Sequence, residues 1–307
     1  MRYAIASLLA GAFALMSGAA DAQSDDQGSG AHAEPSATRS THSHAASGAD
    51  AGDVRDPTVA SLIERVREAT AHLRDPRAAA RAGYRRMGTD FPAMGEHWVN
   101  PGLLLRRDLD FGAPAILTYT TIDGRATLTG VVLTMGLSPG ESPPPVAGAE
   151  RPWHEHNASI ADESFVRPAT RPVHNDRRRL AVLHLWTEAP NPAGPFATEN
   201  WALPFLRLGF TAPDPVPSNA ARALSLILSG DGYFADLVQA AAGPDALAAA
   251  RPVIAQARAE ALAAISDSPR SESLDPGTIG TLGSIWTRTV LRIDDACGDC
   301  ARPLMHR

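Results

Sequence analysis

The chain has 307 residues, 44% of them hydrophobic, and a formal net charge of -6. That apolar content suffices for one large or two small buried cores, and the acidic balance argues against the clustered cations that phosphate-backbone binding needs, so no nucleic-acid partner is expected. Every basic residue other than histidine is arginine, and the one run of them, Arg177-Arg178-Arg179, reads as a solvated turn.

Residues 1–22 read as a signal peptide. Arg2 supplies a positive start, "AIASLLAGAFALM" is an apolar run too short to anchor the chain, and Ala20-Asp21-Ala22 puts small residues where signal peptidase reads them. No cysteine stands directly after that run, which argues against a lipid anchor, and no later stretch approaches membrane-spanning length. The expected location is the periplasm or the exterior, without stable membrane insertion. Residues 23–55 are Ser, Ala, Gly, Asp and His with almost no large apolar side chain. Such a segment cannot bury enough surface to offset its ordering entropy, so it reads as a disordered leader, His32, His42 and His44 included.

Residues 56–215 form the next unit, a helix pair followed by a β domain. Asp56-Pro57 and Asp75-Pro76 are helix starts, an N-cap followed by proline at the first helical position. Val59, Leu62, Val66, Ala69 and Leu73 recur at helical spacing, and Gly83 is placed to end the second helix. Beyond residue 88 the pattern is strands and turns. "AILTYTT" and "ATLTGVVLTM" flank the hairpin signal Asp123-Gly124, and "LAVLHLWT" alternates Val182, His184 and Trp186 against Leu183 and Leu185. Short strands between proline-punctuated loops predict an α+β chain with a small antiparallel β barrel or sandwich.

Residues 216–307 read as a helical region. "NAARALSLILS" stops at Gly230, "YFADLVQAAA" stops at Gly243, and Pro244 opens the next helix. "TLGSIWTRTVLRID" suits a strand or a helix returning to the core. The terminal Cys297-Gly298-Asp299-Cys300 follows an apparent strand and, in an exported protein, reads as a structural disulfide.

Chemistry concentrates on histidines beside tryptophans. They are His97 in "MGEHW", His154 and His156 in "WHEH", and His184 in "LHLW". On an extended strand His154 and His156 point to the same side and can converge on one ion, with His184 from a neighbouring strand and His97 from the loop after the second helix. A buried neutral imidazole needs a polar partner. A metal ion is one such partner; backbone carbonyls and nearby carboxylates are the alternatives. Histidine sites suit Zn or Cu first, with Fe or Ni also compatible, whereas Ca and Mg prefer oxygen.

The runs "AGYRRMGTDFPAMGEHWVNPGLL", "PAILTYTTIDGRATLTGVVLTM" and "LHLWTEAPNPAGPFATENW" resemble a widespread group of exported bacterial proteins. In that group an M-G-x-H-[YW]-V-N-P element precedes an LH-x-W strand and an N-P-x-G-x-F segment. The resemblance covers residues 82–201 and implies a compact, mostly β domain sharing His97 and His184. It implies no established activity, and "WHEH" and the helical region after 215 depart from it.

Three functions follow from these residues. In the first, His97, His154, His156 and His184 form a closed transition-metal site for storage, sensing or delivery. In the second, His97 stays back and an open coordination position holds a water, with Glu155 or Glu163 as base in a metal-dependent hydrolase or oxidoreductase. In the third, Trp98, Trp153, Trp186 and Trp201 line a cleft for a small apolar-faced ligand.

Overall fold

The computed structural model describes residues 52–297 apart from 105, 139, 147, 150, 151, 158–178 and 230–232. The signal peptide, nearly all of the leader, Glu163, His174 and Cys300 lie outside the described residues. Helices α1 (Pro57–Thr70) and α2 (Pro76–Arg81) begin at the two predicted starts. Asp56 accepts from the Thr58 amide at 2.7 Å and Asp75 from that of Arg77 at 2.9 Å. Each such cap is worth about 1 kcal/mol.

Six strands follow. They are β1 (Arg85–Phe91), β2 (Gly95–Val99), β3 (Ile116–Ile122), β4 (Arg125–Leu137), β5 (His154–Asn157) and β6 (Arg179–Trp186), with the short helix α3 (Pro101–Leu104) after β2. They make one antiparallel sheet in the order β1-β2-β3-β4-β6-β5. In place of the expected barrel or sandwich the described strands form a single open sheet, with β1 and β5 at its two edges. Helices cover its faces, so no second sheet is needed to bury them.

The β1–β2 hairpin was not legible in advance. "RRMGTDF" lacks the alternation of a half-buried strand, and its pairing slips between Met87 and Asp90. His97 is consequently the middle residue of β2, not the loop residue expected. The hairpin depends on Gly95, which has φ +85, and a Cβ there would stand 2.3 Å from the Tyr119 carbonyl oxygen. No other residue fits that position.

Register sorts the side chains into two faces, because cross-strand partners share a side. One face carries Leu117, Tyr119, Leu128, Val131, Leu133, Leu183 and Leu185, packed against Val59, Leu62, Val66, Leu73 and Ala79 of the N-terminal helices. The other carries Val99, Ile116, Val132 and Val182, packed with Leu104 of α3. Farther along that second face, Trp186 packs with Leu203 of α4 (Leu203–Arg207).

Helices α5 (Ser218–Ser229), α6 (Tyr233–Ala264) and α7 (Pro276–Cys297) build a core of their own. The break predicted at Gly243 is present, with φ 85 and ψ -176 interrupting α6. α7 settles the strand-or-helix alternative as a helix. Asp275 caps it, accepting from the Gly277 and Thr278 amides at 2.9 and 3.1 Å. Cys297 is therefore the last residue of a helix and does not follow a strand. Among the described residues no helix is long and apolar enough to cross a membrane.

The helical core reaches the second sheet face near the β1–β2 turn. The Phe91 ring meets Tyr233 edge-on at 5.4 Å. The Arg207 side chain, 6% exposed, pairs with Asp90 of β1 and donates to the Pro92 carbonyl at 3.2 Å. Truncating one partner of a fully buried ion pair costs about 3–5 kcal/mol, and the 32% exposure of Asp90 places this pair below that range.

Candidate functional site

His97, His154 and His184 share the second face of the sheet. Starting from β2, register pairs His97 with Thr118, Thr118 with Gly130, and Gly130 with Trp186. The position on β6 level with His97 is therefore Trp186, and His184 lies two residues farther along. Three strand spacings and that offset separate the His97 and His184 Cα atoms by about 16 Å. Two imidazoles on one ion, at nitrogen–metal distances near 2.1 Å, span at most about 13 Å between Cα atoms. His97 is thus not in the same coordination sphere as His184.

The surroundings of His97 tell the same story. It is 1% exposed, and its ring meets Phe91 edge-on at 5.2 Å. Burial pushes its imidazole down to about 4, opposed by a backbone hydrogen bond with Gly95. It is a neutral core histidine wedged where the sheet meets the helical region.

His154 and His184 do come together. β5 pairs with β6 so that His154 stands opposite Val182, which makes His184 its diagonal neighbour. Their rings are 5.3 Å apart between centroids, with planes 26° from parallel. His184 is buried at 6% exposure and His154 is half-buried. β6 is covered on both sides by β4 and β5, which fixes His184. β5 is held at its start by Trp153, whose indole N–H donates to the Pro144 carbonyl at 2.8 Å.

The backbone of His156 aligns farther from His184. It pairs with Leu180, four residues from His184 along β6. That places the two Cα atoms about 14 Å apart, beyond the span one ion allows. The backbone of Glu155 pairs with Ala181, a register position belonging to the other face. The side chains of Glu155 and His156 lie outside the described residues. Among the described residues no three His, Cys, Asp or Glu side chains gather closely enough to hold an ion. The predicted four-histidine sphere is replaced by one cross-strand pair. Convergence depends on register, and the sequence did not reveal how β5 aligns on β6.

The tryptophans do not share a cleft. Trp98 lies on the N-terminal-helix side, edge-on to Tyr119 at 5.6 Å. Trp186 is on the other face, with its N–H bonded to the Ala197 carbonyl at 2.7 Å. Trp201 lies under the Arg222 guanidinium at 4.6 Å, and its N–H reaches Glu199 at 3.0 Å. Desolvation lowers the pKa of Arg222, with Glu199 opposing that shift. These indoles act as separate anchors.

Residues inside the motif-like runs act as scaffold. Tyr84 donates to the Pro114 carbonyl at 2.6 Å, and burial pushes its phenol up to about 12. Asn100 ties the end of β2 to the Ala82 carbonyl at 3.2 Å. Asn191 and Asn200 clasp the "NPAGPFATEN" loop through the carbonyls of Glu199 and Ala189, at 2.9 and 3.3 Å. A cavity of about 10 Å³ beside Arg106, Asp108 and Asp110 has room for roughly one water and no substrate. No family model matches the chain, and no curated protein or solved structure shows significant similarity to it.

Proposed function

We propose that this is an exported transition-metal-binding protein whose ion is held by His154 and His184 across β5 and β6. The observation that carries the reading is the 5.3 Å centroid separation of two imidazoles on one sheet face. Two imidazoles bound to one ion at 2.0–2.1 Å, with a near-tetrahedral angle between them, have centroids about 5 Å apart. The near-parallel planes require one ring to turn about χ2, a soft torsion, before both lone pairs meet.

A bent nitrogen–metal–nitrogen angle favours Zn(II), Cu(II), Ni(II) or Fe(II). Linear two-coordinate Cu(I) would set the centroids about 6 Å apart. Two protein ligands leave coordination positions for water or an exchanging partner, so sensing or delivery fits better than storage. Export is supported by the charged start, short apolar run and Ala20-Asp21-Ala22 of the first 22 residues. The resemblance to exported bacterial proteins supports the same location. It also fits a scaffold shared in its motifs, with "WHEH" as this chain's own addition.

Titration calorimetry of the mature protein with zinc tests the reading. His154→Ala and His184→Ala should each weaken binding at least about 30-fold, whereas His156→Ala should leave it within about threefold. Unchanged affinity in both of the first two variants overturns the proposal. Loss confined to His154→Ala and His156→Ala would return the site to a single-strand pincer.

A further inference from the structure

We infer that an ion at this pair acts as a staple on the sheet edge, setting how firmly β5 stays docked on β6. The inference rests on the two-histidine reading above and adds regulation to it. β5 is four residues long and last in the strand order, and its pairing among the described residues is with β6 alone. Strands that short add little stability by themselves at an edge.

The two ligands sit on opposite sides of that weak junction. His184 belongs to an interior strand paired over eight positions with β4. His154 opens the edge strand, immediately after the Trp153 anchor, whose ring packs on Met135, Leu137 and Ala181. An ion bonded to both imidazoles adds a bridge between the strands, so separating β5 then requires breaking a metal–nitrogen bond. Linkage makes the effect reciprocal. If the docked strand binds the ion more tightly by some factor, the ion favours docking by the same factor.

The staple predicts a local effect. Hydrogen exchange of the full mature chain, followed by mass spectrometry with and without saturating Zn(II), should show peptides covering 153–157 slowed at least about tenfold by the ion. Peptides covering 131–133 in β4 should not change. The half-buried His154 can be replaced without opening the core, so His154→Ala should keep the zinc-free exchange pattern and lose the slowing. His184→Asn gives the same comparison from the other strand. Zinc that binds through both histidines yet leaves 153–157 unchanged overturns the staple while the metal-binding reading stands. Failure of zinc to bind overturns both.

Discussion

His97 and His184 are both buried on one face of one sheet, and both follow the same sequence pattern of histidine beside tryptophan. Their fates differ because their neighbours differ. His97 faces Phe91 at the seam with the helical region, in a site dry enough to hold it neutral. His184 faces a second imidazole at 5.3 Å, one strand from the sheet edge. A buried histidine is therefore not a ligand by virtue of burial. What counts is whether register supplies a second donor within reach.

The sharpest way to break the comparison is to damage the seam alone. Arg207→Ala leaves a partly solvated Asp90 without its partner and should destabilise the fold by about 2–4 kcal/mol, measured by urea denaturation. Zinc affinity of the surviving folded protein should stay within about threefold, because the Arg207–Asp90 clamp is on β1, four strands from β6. A metal site lost together with the clamp would show that the two regions are not independent.

Acid separates the two histidines next. The His97 imidazole titrates at about 4 in the native state, below its ordinary 6.5. Between those values the unfolded chain binds a proton that the native chain does not. The stabilisation is therefore fully present above pH 6.5 and falls away as pH drops toward 4. The expected loss between pH 7 and pH 4 is about 3 kcal/mol. His97→Gln should flatten that part of the pH profile whatever its stability at pH 7. A profile parallel to wild type would mean that His97 is not the group responsible.

Much of this fold could be read from residues, and the unread parts share a cause. Asp56-Pro57, Asp75-Pro76, Asp123-Gly124 and Gly243 are local signals, and each marks the predicted boundary. The β1–β2 hairpin carries no such pattern, since its strands are stabilised by Tyr119, Phe91 and Arg207 contacts made at long range. The histidine site shows the same division. Both members of the pair, His154 and His184, are legible as candidates in the sequence. Which histidine approaches which was set by pairing His154 with Val182, and two residues of slip would have chosen His156 instead. Register of a short edge strand is weakly encoded, because little is buried to punish the alternative.

The finest comparison lies within the pair itself. In zinc-free protein His184→Ala removes a buried ring from an interior strand and should cost about 1–3 kcal/mol. His154→Ala, half-buried at the edge, should cost under about 1 kcal/mol, because solvent fills the space. In metal affinity the two variants should be alike, since losing either imidazole leaves a single ligand. A thermal shift series with and without zinc reads both quantities at once. Unequal melting points without zinc, and no zinc-induced rise in either variant, are what a shared ligand pair on unequal strands requires. A rise retained in His154→Ala would place the second ligand elsewhere and remove His154 from the site.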